Sequence, residues 1–176
     1  YLELHWYLVI CIMTVKLVSD YCKNVDEIVK LVEANEDSFF IRQQGEEFNF
    51  VTAYGESKLK SMFRWNMPKE LKELITESIP EEDRTCDSFC INKYDPGDYL
   101  KRHRDSAGGD WKFKLIFLRA DAPHFCWYDK QGNGNLVDEG PGMLIDMPVN
   151  LEHEVTEIKQ NERPKISLAL SWGRTR

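Results

Sequence analysis

The spacing of hydrophobic positions changes near the middle of the chain. In the first half, two stretches repeat with a helical period. "NVDEIVKLVEAN" puts Val25, Ile28, Val29 and Val32 on one face. Asn24 stands at its N-cap with Glu27 three residues on, the spacing of a capping box. "PKELKELITESI" puts Leu71, Leu74, Ile75 and Ile79 on one stripe, opened by Pro68 and stopped at Pro80. Between the two, "SFFIRQ" and "EFNFVT" are expected to be short strands around Gly45, and "ESKLKSMFRW" a further helical piece. The leading run is apolar from Trp6 to Val18, is interrupted by Lys16 and is too short to span a bilayer. A buried strand is expected there. It lacks a basic lead-in and a small-residue cleavage site, so a signal peptide fits poorly. Met13 is a candidate natural start, which makes residues 1–12 candidates for a segment foreign to the fold.

Beyond Pro80 the pattern turns to short strands. They are expected at Cys86–Asn92, Trp111–Arg119, His124–Tyr128, Met143–Met147, Glu152–Ile158 and Lys165–Trp172. The breaks "YDPGD", "SAGGD", "RADAP", "KQGNGN", "DEGPG" and "KQNERP" all carry turn chemistry. The predicted architecture is mainly β, a sandwich or barrel core with flanking N-terminal helices. With 176 residues the chain is expected to be a single domain, residues 1–85 giving helical support and outer strands and residues 86–172 the β core.

Composition narrows the possibilities. A mean hydropathy of -0.50 argues against a membrane protein. A formal charge of -7 leaves no basic footprint and disfavours sequence-independent nucleic-acid binding. Five scattered cysteines without a CxxC pair point to free thiols in a reducing, cytoplasmic setting.

The candidate chemistry sits in "INKYDPGDYLKRHRD". A turn sends the chain back as a short strand that closes on His103 and Asp105. Residues two apart on a strand share a face, so an imidazole and a carboxylate aim at one point. A third ligand has to come from elsewhere. His5 lies in the leader, and His124, after Pro123, reads as an exposed or core histidine. His153, in "MPVNLEHEVTEI", sits where a strand restarts after a proline-bounded loop. Two histidines and a carboxylate with open positions form the facial triad of non-haem Fe(II) oxygenases. Zinc with a bound water is compatible with the same ligand types.

"NKYDPGDYLKRHRD", with Tyr94, Gly97, Tyr99, His103 and Asp105 in order, resembles the approach to the metal site in Fe(II)/2-oxoglutarate-dependent dioxygenases of the prolyl-4-hydroxylase-like branch. "GPGMLIDMPVNLEHEV" and "ERPKISLALSW" resemble that family's distal-histidine and closing strands. The resemblance covers Cys86 to Trp172 and implies a double-stranded β-helix (jelly-roll) core. It implies Fe(II) on His103, Asp105 and His153, with 2-oxoglutarate and O2 as cosubstrates and ascorbate as a reductant. The implied reaction hydroxylates a C–H bond of a peptidyl or small-molecule substrate and releases succinate and CO2. The far carboxylate of 2-oxoglutarate needs a cation. Arg163 and Lys165 are the candidates on the closing strand, with the preference on Arg163, and Lys114 is a third. Ser167, Asn92 and Tyr94 are expected around the cosubstrate, and Trp127, Tyr128 and Phe125 along a substrate pocket. Two features depart from the family. "RADAPHFCWY" replaces the usual Gly-Gly-acid segment, and the closing R-x-N-x-T-x-R of AlkB-type nucleic-acid dealkylases is absent. Such a dealkylase, or a cupin-like metal-binding protein without oxygenase activity, is the alternative.

Overall fold

Along the chain run β1 (Lys16–Val18), α1 (Val25–Glu33), β2 (Phe40–Gln43), β3 (Ser57–Phe63), α2 (Lys69–Ser78), β4 (Ser88–Tyr94), β5 (Tyr99–His103) and β6 (Lys112–Arg119). Then come β7 (Phe125–Tyr128), β8 (Gly134–Leu136), β9 (Met143–Asp146), β10 (His153–Val155) and β11 (Lys165–Trp172). These elements come from a computed structural model that describes residues 15–43, 57–105 and 112–173. His5, Cys11 and the strand expected at "EFNFVT" lie outside the described residues.

The strands form one antiparallel sheet in the order β1-β9-β6-β11-β4-β3-β5-β10-β7-β8, with β2 beside β3. The sheet curls into a jelly-roll-like fold, so that Phe117 of β6 meets Phe125 of β7 with ring centroids 5.6 Å apart. Strand alternation divides the side chains between two cores. On β11, Ile166, Leu168 and Leu170 join α1 and α2 through Ile28, Val32, Leu71 and Ile75. Ala169 of β11 faces the other way, into an interior shared with Phe117, Phe125, Ile145 and Val155. Each fully buried Leu or Ile of this kind contributes roughly 1.5–3 kcal/mol. The helices buttress one side and leave the hollow of the curl for chemistry. Among the described residues no helix is long and apolar enough to cross a membrane.

Two glycines sit where the backbone needs them. Gly97 has φ +86° in the Asp95–Asp98 turn, which the Asp98 N–H closes on the Asp95 carbonyl at 2.8 Å. Pro followed by a positive-φ Gly is the sequence of a type II turn. Gly142 has φ +75°, and a Cβ there would lie 2.6 Å from the Cys22 carbonyl oxygen.

Several expectations need correction. "ESKLKSMFRW" contains strand β3, not a helix. Both faces of β3 are covered, Leu59 in the inner core and Met62 against the helices, so its apolar spacing imitates a helical period. The capping box does not form: Asn24 adopts a left-handed φ of 52° and its side chain donates to Ser78 Oγ at 3.1 Å. The end of the apolar leader, β1, is an exposed edge on β9 rather than a buried strand. "KQGNGN" contributes to β8 as well as to a turn.

Candidate metal centre

The turn at Gly97 returns the chain as β5, and β5 ends on His103. Strand β10 lies antiparallel to β5 with His153 directly opposite His103. Asp105, two residues beyond His103, reaches the same point. The Nε2 of His103 lies 3.5 Å from Asp105 Oδ1, and that of His153 lies 3.7 Å from Asp105 Oδ2. One ligand atom from each of the three residues falls within 4.8 Å of the others. Both histidines are buried and the carboxylate is half-buried.

The outer nitrogens fix the rings. His103 Nδ1 sits 2.8 Å from the Lys101 carbonyl and His153 Nδ1 sits 3.0 Å from that of Leu151. A carbonyl only accepts, so each Nδ1 carries the proton and each Nε2 keeps a lone pair aimed at the centre. Metal-binding histidines are oriented in the same way. Burial pushes the His153 imidazolium below its ordinary value; the Asp105 carboxylate opposes this and His103 adds to it. Two imidazole nitrogens and a carboxylate converging on one point are a donor set that fits a divalent cation.

The residues expected around the cosubstrate lie on the inner face of β11 and β4. Lys165 stands opposite Tyr94, and Ser167 opposite Asn92. Asn92 Oδ1 accepts from Ser61 Oγ at 2.7 Å. Lys165 is 1% exposed, and its ammonium lies over the Phe117 ring, 4.6 Å from the centroid. Its charge meets the Glu139 carboxylate, whose side chain is also fully buried. Burial pushes the Lys165 ammonium well below its ordinary pKa, while the adjoining carboxylate favours the charged form.

Arg163 is not brought to this pocket. It lies one residue before Pro164, ahead of β11, so strand alternation does not carry it inward. Its side chain is 69% exposed and forks onto Asp121, with Nη2–Oδ1 at 2.7 Å and Nε–Oδ1 at 3.0 Å. Lys114 also points elsewhere. It sits on the helix-side face of β6 and donates to Asp83 at 2.8 Å and to Tyr21 Oη at 2.6 Å.

Of the expected substrate-pocket aromatics, Phe125 stacks on His153 with centroids 5.4 Å apart, and Trp127 is the cross-strand partner of His153. Tyr128 faces outward, donating to Glu154 at 2.6 Å beneath the Arg102 guanidinium, and that hydrogen bond raises its phenol pKa. His124 is a buried structural residue, held by Glu162 at 2.6 Å and Thr156 at 2.9 Å. Glu139 is the residue that sequence reasoning missed. It belongs to the turn segment "DEGPG", and loop positions carry no periodicity to flag a buried acid.

No protein-family model matches the chain, and no curated protein matches it in sequence. Solved structures do. A 2OG-Fe(II) oxygenase-family oxidoreductase from Burkholderia pseudomallei aligns with TM-score 0.65 and 16% identity, over 90% of this chain and 84% of that one. A Trichoplax adhaerens prolyl hydroxylase, solved with a hypoxia-inducible-factor peptide fragment, gives 0.63 and 13% over 89% and 82%. A non-haem alpha-ketoglutarate-dependent epimerase of nogalamycin biosynthesis gives 0.65 and 8% over 90% and 77%. The chain thus shares the fold of the 2-oxoglutarate–Fe(II) oxygenases, prolyl-4-hydroxylases among them.

Proposed function

We propose that the protein is a 2-oxoglutarate-dependent Fe(II) oxygenase that hydroxylates a C–H bond of a peptidyl or small-molecule substrate. One observation carries this reading: Nε2 of His103, Nε2 of His153 and the Asp105 carboxylate converge at one buried point, with both Nδ1 protons spent on backbone carbonyls. His103, Asp105 and His153 would hold the iron. The metal and its cosubstrate supply the oxidising power when bound. The chain's own residues position and shield. The carbonyls of Lys101 and Leu151 hold the imidazoles in the ligating tautomer. Lys165, at the bottom of the inner face beside Ser167 and Tyr94, is the cation for the far carboxylate of 2-oxoglutarate. Phe117 packs under the Lys165 ammonium, Phe125 packs against His153, and the two rings meet each other.

Supporting a peptidyl or a small-molecule substrate alike, the fold is shared by a prolyl hydroxylase solved with a peptide fragment and by an epimerase of nogalamycin biosynthesis. A metal-binding jelly roll without the cosubstrate is the second reading, and the Glu139 carboxylate already on Lys165 favours it. Succinate release separates the two. Protein incubated with Fe(II), ascorbate, O2 and 2-oxoglutarate should form succinate, slowly even without the prime substrate, and Asp105→Ala should form none. Equal succinate from the wild type and Asp105→Ala would remove the triad from the reaction.

A further inference from the structure

Lys165 is a fully buried lysine whose partner is internal. Glu139 reaches it from the loop between β8 and β9 and is itself held in place. Its Oε1 accepts the backbone N–H groups of His124 at 2.7 Å and Phe125 at 2.6 Å, which leaves Oε2 for the ammonium. No described residue hydrogen-bonds Glu139 Oε2 or Lys165 Nζ, so the two groups face only each other, as an ion pair. The arrangement therefore presents one carboxylate, on two amides, to the buried Lys165 ammonium of the inner face. A charge-assisted contact of this kind is the one a dicarboxylate ligand would seek.

We infer that Glu139 is an internal competitor for the cosubstrate: Lys165 exchanges the Glu139 carboxylate for the far carboxylate of a 2-oxo dicarboxylic acid, and Glu139 sets how strongly that carboxylate is preferred. The inference rests on the proposed cosubstrate reading. On exchange no bond between heavy atoms is made or broken. Lys165 changes partner, while Glu139 stays on the two amides without its counter-charge. The binding energy of the incoming carboxylate is reduced by what Glu139 loses. Replacing Glu139 with glutamine keeps the shape and the amide-accepting oxygen but removes the competing charge.

The test uses Zn(II)-loaded protein, which binds without turning over, and two probes: 2-oxoglutarate, and 2-oxopentanoate, which lacks the far carboxylate. Calorimetric titration of Glu139→Gln should show 2-oxoglutarate bound about tenfold or more tighter than in the wild type, as expected when a competing buried charge is removed. Affinity for 2-oxopentanoate should change by less than about twofold, since that ligand makes no demand on Lys165. Lys165→Met should bind both ligands alike. If the wild type and Glu139→Gln bind 2-oxoglutarate equally while Lys165→Met loses it, the competition is wrong and the cosubstrate reading stands. If no protein distinguishes the two ligands, both readings fall. The wild type gives a second measurement that does not depend on a variant folding. The Glu139 side-chain carboxyl 13C resonance should move on adding 2-oxoglutarate and stay in place with 2-oxopentanoate. A resonance indifferent to both, under saturating 2-oxoglutarate, overturns the exchange.

Discussion

Replacing Lys165 by methionine isolates the cost of a buried carboxylate that has lost its partner. Methionine keeps most of the length and packing over Phe117 and removes the charge. Glu139 then stays buried on two backbone amides with Oε2 unpaired. Its way out is to take up a proton. From an ordinary glutamate pKa of about 4.3, protonation at pH 7 costs about 3.7 kcal/mol. That limit agrees with the roughly 3–5 kcal/mol expected when one member of a buried pair is removed. The sign of the pH dependence follows. In Lys165→Met the folded-state pKa of Glu139 lies above its unfolded value, so the penalty is nearly absent near pH 4. It grows by about 1.4 kcal/mol per unit as pH rises, until the folded-state pKa is passed. The double variant Lys165→Met/Glu139→Gln has no stranded charge and should lose only about 1–2 kcal/mol. Urea unfolding of the four proteins between pH 5 and 8 measures the cycle. Additive losses, or a Lys165→Met penalty flat with pH, would refute the buried pair.

His124→Ala should lower stability by about 1–3 kcal/mol through the hydrogen bonds lost by Thr156 and by Glu162, which keeps only Lys159, while metal stoichiometry by atomic absorption stays at one per chain. Arg163→Ala should leave 2-oxoglutarate affinity within about twofold of the wild type, because its guanidinium is spent on Asp121 at the surface; a large loss by calorimetry would return the anchor to Arg163. Gly97→Ala should cost about 1–2 kcal/mol, since an L-residue at φ +86° is strained whatever the space around it, and thermal unfolding reads that shift.

Legibility in the sequence followed how local each signal was. The strand expected at Lys165–Trp172 forms over its whole length as β11, where alternation puts Ile166, Leu168 and Leu170 on the helix-side face. The His103–Asp105 pair was equally readable, because period two alone puts both on one side, and the turn residues Pro96 and Gly97 announced the return strand. Which of Arg163 and Lys165 faces the interior was not readable. It depends on where β11 begins, and a residue on the far side of Pro164 is free to leave the strand face. Lys114 is a matter of parity: once Phe117 faces inward, a residue three positions earlier faces outward. Strand β3 was misread because burial on both faces erases the alternation that marks a half-exposed strand. Glu139 had no signal at all, since its role arises only when a loop closes over the inner face of the sheet.

The central claim is that His103, Asp105 and His153 bind Fe(II) and leave room for 2-oxoglutarate beside it. Anaerobic titration with Fe(II) followed by 2-oxoglutarate tests this in one cuvette, because chelation of Fe(II) by the 2-oxo acid produces a weak visible charge-transfer band. The wild type should develop the band, saturating at one equivalent of iron, and Asp105→Ala and His153→Ala should not. A band that persists in both variants, or tight Fe(II) binding by the wild type with no band at saturating 2-oxoglutarate, would contradict it.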